Sequence, residues 1–218
     1  MTFDWAYAKA ILPSLLEAMV ITLQATFAGF GLAVVVGLGL ALARRSAQRV
    51  ISRPAGWFVE FVRSTPLLVQ LYFLFFALPS AGISLSPFAA GVLGLGLHYA
   101  TYISEVYRAG IEAVPPGQWE AATALNFNRF QTWTRVILPQ AIPPIIPMLG
   151  NYLIVMFKET PQLSAITVVE MLQRAKILGA RSFQYLEPFT LVGLLFLLLS
   201  YPSSLLVRRL EARLARRG

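Results

Sequence analysis

Between two long apolar segments lies a polar stretch, EAATALNFNRFQTWTRVILP (residues 120–139), which carries Arg129 and Arg135. This stretch is too polar to sit in lipid, where charged side chains are costly. Its patterning is also too regular for a plain linker. In a membrane protein, such a segment is where a soluble partner would dock. The alternative is a solvated amphipathic connector between two spans.

The segments on either side of this stretch indicate an all-α polytopic membrane protein. Of 218 residues, 57% are apolar and 13% are charged, whereas a soluble domain carries about 25% charged residues. A spanning helix needs about 20 apolar residues, and an outer-membrane barrel would instead show alternating segments of about ten. The predicted single transmembrane domain, residues 1–218, has about five spans. They cover residues 19–43, 55–78, 88–109, 141–157 and 188–207.

Arginines predict the orientation of these spans. They follow the first span, lie in the loop after the third, and fill the tail: Arg44, Arg45, Arg49, Arg53; Arg108, Arg129, Arg135; Arg208, Arg209, Arg213, Arg216, Arg217. By the positive-inside rule these regions are cytoplasmic, so we expect the N-terminus outside. The net charge of +8 then reflects membrane topology, not nucleic-acid binding.

Residues 158–187 would lie outside although they carry basic residues and an apolar patch, residues 163–171. A helical hairpin that partly re-enters the protein would explain both features. The patch is too short for a sixth span.

The opening stretch reads as a helix, a break and a second helix. Pro115, Pro116 and Gly117 end the helical span before this stretch. Glu120 begins a sequence that favours a helix. Asn126 tolerates the left-handed conformation and marks the break. A second helix is predicted from Arg129 to about Ile137.

This stretch resembles the EAA loop of permease subunits of ATP-binding-cassette (ABC) importers: EAA, three residues, Gly, nine residues, I-x-LP. The matching positions are Glu120, Ala121, Ala122, Asn126 in place of Gly, Val136 in place of Ile, Leu138 and Pro139. Further stretches resemble polar amino acid permeases: EFVRSTPLLVQ (60–70), with Ser64 in place of Gly, YISEVYRAGI (102–111), GQWEAA (117–122), ILPQA (137–141) and KET (158–160). Within that family, LGLHYATY (95–102), GIEAVP (110–115) and LSAITVVE (163–170) resemble ectoine and hydroxyectoine permeases.

The resemblance implies a type I importer permease fold in a bacterial inner membrane. The subunit would move amino acids or compatible solutes into the cell by alternating access. Residues 112–139 would form a cytoplasmic coupling segment that docks on an ATPase subunit. The other implied partners are an extracytoplasmic solute-binding protein and a second permease, either another copy or a homologue. The chain has no GxxxxGK[ST] phosphate loop, so we expect it to be no enzyme, to hold no cofactor, and to leave ATP and Mg²⁺ to the partner ATPase.

Charges near the predicted span ends are candidates for a gate. Glu60 with Arg63, and Glu105 with Arg108, are each three residues apart on one helix face. Each pair could be an interfacial ion pair that closes the bundle, or an inner gate that rearranges during transport.

A solute pathway is predicted beside two helix breaks. Lys158 and Glu159 precede Thr160 and a proline, and Ser64 and Thr65 precede another. Non-helical backbone at membrane depth is tolerated where it is buried or lines a cavity, and an acid beside a base could match a zwitterion. An external end cap is the alternative. His98, the only histidine, is expected to pack or hydrogen-bond, and no metal site is expected.

Three alternatives stay open: a permease for another small polar solute, a self-sufficient secondary carrier, and an intramembrane enzyme. A carrier would have no need for a docking segment and usually shows internal repeats. An enzyme would need catalytic groups within the spans, and one His without Cys offers few.

Overall fold

A computed structural model describes residues 3–215, and all regular structure within that range is helical. The helices are α1 (Trp5–Arg44), α2 (Arg49–Arg63), α3 (Leu67–Tyr72), α4 (Pro87–Glu112), α5 (Pro116–Ala124), α6 (Arg129–Gln131), α7 (Leu138–Glu159), α8 (Met171–Ser182) and α9 (Leu186–Ala215). Wide turns at Phe73–Ala77 and Thr132–Ile137 and 3-10 turns at Leu78–Ala81 and Thr160–Ile166 join some of them. Arg216 and Arg217 of the predicted basic tail lie outside the described residues.

The centre of the fold is the long contact between α1 and α4. Glycines bring the two backbones together: a Cβ on Gly37 would lie 2.9 Å from the carbonyl oxygen of Ala100, and one on Gly96 would lie 2.5 Å from Leu32 Cδ2. Around this contact, Leu95 and Ile103 are fully buried. Small residues therefore set the helix spacing, as expected where lipid provides no hydrophobic drive for association.

Three helical runs are long and apolar enough to cross a membrane: Trp5–Arg44, Arg129–Ile166 and Leu186–Leu214. The bent pair Arg49–Arg63 and Leu67–Ala81 could supply a fourth. The predicted third span lies in α4, which is outside this set. Many α4 residues, polar ones included, are buried against the protein, so α4 needs less apolar surface than a lipid-facing helix. The count of five spans stays a prediction.

The predicted second span, residues 55–78, is not a continuous helix, which corrects the sequence interpretation. The chain bends by 103° between α2 and α3. The cause is local: Pro66 has no N–H to continue the ladder, and it disfavours the helical conformation at Thr65. Hydropathy does not register backbone geometry, so the predicted span gave no sign of this break.

The second helix of the coupling segment, predicted to end near Ile137, instead continues through a wide turn into α7. The helical run Arg129–Ile166 is 38 residues long. Motion at Arg129, where this run begins, can therefore be transmitted into the helix bundle along one continuous helical run.

The apolar patch of residues 163–171 packs inside the protein. Leu163, Ile166 and Met171 are fully buried around a left-handed turn at Thr167, with φ 66°. The buried Glu170 carboxylate accepts hydrogen bonds from the N–H groups of Leu172 (2.9 Å) and Gln173 (2.7 Å) and so caps α8. Re-entry of this hairpin into the membrane stays a prediction.

Candidate coupling segment and solute pathway

The break in the coupling segment is a Schellman motif. Helix α5 ends at Ala124, and the Asn126 N–H donates to the Thr123 carbonyl (2.9 Å). The Phe127 N–H donates to the Ala122 carbonyl (3.0 Å). This motif requires a left-handed residue one place beyond the cap, and Asn126 has φ 55°. The expectation that Asn126 turns the chain here agrees with the structure.

The next helix begins at once with a capping box. The Asn128 side chain accepts from the Gln131 N–H (2.9 Å), and the Gln131 side chain accepts from the Asn128 N–H (3.0 Å). Two exposed donors at the helix start are thereby satisfied. The segment is therefore well defined as two helices at a fixed turn.

The inner face of α5 rests on the start of the α7 run. Ala122 is 1% exposed, and the rings of Trp119 and Trp133 meet edge to face with centroids 5.4 Å apart. Beneath them Ile137 is fully buried. A push on α5 would therefore reach α7 through packed side chains.

The outer face of the coupling segment is exposed and partly apolar. Glu120 and Ala121 are exposed, and Leu125 and Phe130, on either side of the turn, are 67% and 76% exposed. Large apolar side chains together on a surface are typical of a docking site. Leu125 and Phe130 were not singled out from the sequence, although large apolar residues at a turn were a usable signal.

The remaining residues of the motif lie at the base of α7. Leu138 is half-buried and Pro139 exposed. Pro139 lines a cavity of about 810 Å³, together with residues of α9 that include Glu211.

One carboxylate organises the predicted gate residues. Glu105 binds Arg44 of α1, Arg108 of its own helix (Nε–Oε2 2.8 Å) and Arg63 of α2 (Nη1–Oε1 3.6 Å). Arg108 also binds Glu112 at 2.6 Å. We call these five residues the Glu105 network. It joins the ends of α1 and α2 to α4 and leaves one excess positive charge.

The predicted pairing of Glu60 with Arg63 is wrong. Within residues 3–215 Glu60 forms no ion pair, and its side chain is exposed. Arg63 is the last residue of α2, and the bend at Ser64 to Pro66 turns it towards Glu105. Helical spacing alone could not reveal a partner on another helix.

Four rings from α4 and α7 form a cluster beside this network. His98, Tyr99, Tyr102 and Tyr152, here called the aromatic cluster, have neighbouring centroids 5.3–6.2 Å apart. The Arg63 guanidinium carbon lies 5.0 Å from the Tyr102 ring centroid. Tyr102 and Tyr152 are half-buried, so ring surface remains accessible. The sequence interpretation did not include these tyrosines in the pathway.

A hydrogen-bond chain ties the cluster to the bend. His98 Nδ1 lies 3.2 Å from Gln70 Oε1. Gln70 Nε2 donates to Thr65 Oγ1 (2.7 Å) and to the Val62 carbonyl (2.8 Å). His98 thus has the hydrogen-bonding role expected of it, and Gln70 satisfies carbonyl groups that the helix break leaves free.

The predicted pathway residues occupy different environments. Thr65 joins the chain that reaches His98, and Ser64 is exposed beside it. Glu159 is half-buried and accepts a hydrogen bond from Gln162. Lys158 is exposed, and Thr160 is fully buried with its hydroxyl donating to the Phe157 carbonyl (2.7 Å). Thr160 therefore faces the protein interior.

No group of acids and histidines within residues 3–215 is arranged to hold a metal ion.

Comparison with known families now identifies the class. Residues 33–216 match the family described as the binding-protein-dependent transport system inner membrane component, and the chain belongs to this family.

Individual relatives are similar over nearly the whole chain. A probable amino-acid ABC transporter permease, y4tG of Sinorhizobium fredii, is 49% identical over 215 residues, covering 99% of this chain and 93% of the relative. The glutamine transport system permease GlnP of Escherichia coli K12 is 33% identical over 216 residues, covering 98% and 99%.

Solved structures support the fold. A crystal structure of an amino acid ABC transporter with histidines has a TM-score of 0.92 and 35% identity, covering 98% of this chain and 100% of that one. An inward-facing MetNI methionine ABC transporter has a TM-score of 0.68 at 20% identity, covering 95% and 99%, and shows the fold alone.

The chain is therefore the permease subunit of an amino-acid ABC importer, an integral inner-membrane protein with the type I fold. Permeases of this class are not enzymes, since ATP is hydrolysed on separate subunits. The secondary carrier and the intramembrane enzyme are set aside.

Proposed function

We propose that this permease moves a small zwitterion into the cell by alternating access driven from residues 112–139. The observation that carries the proposal is the coupling segment: two capped helices, fixed by the left-handed Asn126, whose outer face exposes Leu125 and Phe130. A partner ATPase docks on this face and binds the ATP and Mg²⁺. The segment then lies in the cytoplasm, with the N-terminus outside.

Two permeases enclose one pathway. The large exposed apolar side chains of α2 and α3, such as Trp57 (75%) and Val69 (55%), exceed the scattered apolar residues typical of a closed surface. Part of this surface faces lipid and part faces the second permease, which is either a copy of this chain or a homologue. A solute-binding protein delivers the solute at the opposite side.

The docking role of the coupling segment is tested by co-purification with the cognate ATPase. Phe130→Asp and Glu120→Arg should reduce recovery of the ATPase, because each places an unfavourable charge on the docking face. Phe183→Asp is the matched control, since Phe183 is 87% exposed but lies at the turn between α8 and α9. Normal ATPase recovery and uptake with both coupling variants would refute the docking role.

The aromatic cluster is the proposed solute-lining surface. A cationic centre over a tyrosine ring gains about 0.5–2 kcal/mol, and Glu159 ends α7 seven residues after Tyr152, on the same helix face. Ser64, Thr65 and Lys158 contribute polar groups near the two helix breaks. A zwitterion with one cationic centre fits this lining.

Tyr152 permits a sharp test of that lining. Tyr152→Phe keeps the ring and should retain uptake, whereas Tyr152→Leu should reduce uptake by roughly 2- to 30-fold, the energy of one cation–π contact. Glu159→Gln should also alter uptake with ATPase assembly intact. Equal uptake by the Phe and Leu variants, or loss of assembly with the Gln variant, would assign these residues a structural role.

The narrower proposal is that the solute is a compatible solute such as ectoine or hydroxyectoine. It is supported by the similarity of residues 95–102, 110–115 and 163–170 to ectoine permeases. Calorimetric titration of the cognate binding protein with ectoine, hydroxyectoine and glutamine separates the possibilities. Binding of glutamine alone would contradict the compatible-solute proposal and leave the amino-acid importer intact.

A further inference from the structure

Two adjacent arginines at the end of α1 contact two different parts of the molecule. Arg44 is the last residue of the helix and binds Glu105. Arg45 is its cap, and its guanidinium carbon lies 5.9 Å from the centroid of the Trp133 ring. Trp133 in turn packs on Trp119 of α5. Neighbouring residues thus join the coupling segment to the Glu105 network.

The contact between Arg45 and Trp133 is made by side chains alone. The backbone of α1 packs mainly on α4 and hardly approaches the turn Thr132–Ile137. Arg45 is exposed and Trp133 is half-buried. A substitution at Arg45 can therefore interrupt this link without removing any packing from the helix bundle.

On its other side, the Glu105 network reaches the aromatic cluster. Arg63 is shared between Glu105 and the face of Tyr102. Arg63 also ends α2 immediately before the bend of 103°. Arg63 therefore links Glu105 to the ring surface of the aromatic cluster.

We propose that Arg45 is a positioning residue that couples ATP hydrolysis, through Arg44, to the Glu105 network, which contains the predicted gate residues. The inference rests on the proposed role of residues 112–139 as the segment that docks on the ATPase. Displacement of α5 moves Trp133 through its contact with Trp119. Trp133 in turn moves Arg45, which contacts its ring. Since Arg44 and Arg45 share one helix end, the displacement changes the distance from Arg44 to Glu105 and redistributes Arg63 between Glu105 and Tyr102.

The test uses the complete transporter, with its ATPase and binding protein, in proteoliposomes. The measured quantity is ATP hydrolysed per solute taken up, which a structural defect lowering both rates equally does not change. Arg45→Ala should raise this ratio by roughly two- to fivefold, the equivalent of an exposed cation–π contact of about 0.5–1 kcal/mol. Arg45→Lys keeps the cation and should restore most of the coupling.

Arg49→Ala is the matched control, because Arg49 is exposed in the first turn of α2 and forms neither an ion pair nor a ring contact within residues 3–215. It should leave the ratio unchanged. Trp133→Phe weakens the ring that Arg45 contacts. The double variant Arg45→Ala/Trp133→Phe should lose less coupling than the sum of the two single changes, because both changes break one link.

Three outcomes would overturn the inference: additive effects in the double variant, a normal ratio in Arg45→Ala, or loss of ATPase assembly in that variant, which would make Arg45 a docking residue. Failure of the proposed function is distinguishable, because the unmodified chain would then show no ATPase association and no binding-protein-stimulated hydrolysis.

Discussion

Asn126 holds the left-handed conformation that the turn of the coupling segment requires. Most residues with a Cβ are strained by about 1–2 kcal/mol in this conformation, whereas Asn tolerates it and Gly adopts it without steric strain. We expect Asn126→Gly to support normal uptake and Asn126→Val to uncouple it, because valine cannot close the Schellman motif without strain. The measurement is uptake and ATPase activity of the assembled transporter.

Ala124 provides the control for this prediction, since it is the exposed last residue of α5, two residues before Asn126. Ala124→Val should disturb transport much less than Asn126→Val, because it carries only a small helix-propensity penalty. Equal effects at the two positions would show that bulk on this face, and not backbone conformation, matters. The conformation of Asn126 could be predicted from sequence because a polar residue stood where the EAA pattern has glycine.

At the scale of elements, α1 and α4 meet through glycines that leave no room for a side chain. The Cβ of an alanine at position 37 would lie 2.9 Å from the Ala100 carbonyl oxygen and 3.0 Å from Ile103 Cγ2. Because the closest atom is backbone, a rotamer change cannot relieve the contact. Gly37→Ala should therefore destabilise the fold by about 1–3 kcal/mol, measured as a lower melting temperature of the purified permease in detergent.

Gly39→Ala is the matched substitution on the same helix, where no atom lies within 4 Å of the added Cβ. It should leave the melting temperature unchanged or raise it, because alanine is the better helix former. A similar loss at both positions would mean that glycine flexibility, and not close packing, is what α1 requires. Gly37 and Gly39 lie two residues apart, and the sequence alone could not show that Gly37 packs on α4 while Gly39 does not.

Sequence patterns predicted the apolar runs more reliably than they predicted which side chains contact one another. The 103° bend and the pairing of Arg63 with Glu105 both depend on where the chain turns at Pro66. Hydropathy and helical spacing treat that region as one straight span, so Glu60 was the natural partner for Arg63. The aromatic cluster was missed for a similar reason, because Tyr152 reaches it from α7, fifty residues after Tyr102.

At the scale of the whole molecule, the Glu105 network joins α1, α2 and α4 at the end of the bundle nearest the coupling segment. Replacing Glu105 by Gln would leave three arginines close together without their shared acid. The side chains of the network are 22–50% exposed, which limits the loss to about 1–2 kcal/mol of stability. We expect a larger effect on the transport cycle, since repulsion among the three arginines separates the helix ends that Glu105 holds together.

We therefore expect Glu105→Gln to raise ATP hydrolysis in the absence of binding protein. The ends of α1, α2 and α4 would then separate without the delivery of solute. Glu60→Gln is the control, because Glu60 is exposed on α2 and forms no ion pair within residues 3–215. It should leave basal hydrolysis near that of the unmodified protein. The comparison is made in proteoliposomes at low and high salt, since screening weakens the network in the unmodified protein too. If Glu105→Gln and Glu60→Gln hydrolyse ATP at the same basal rate, the Glu105 network is a static brace, and the gate must lie elsewhere in the bundle.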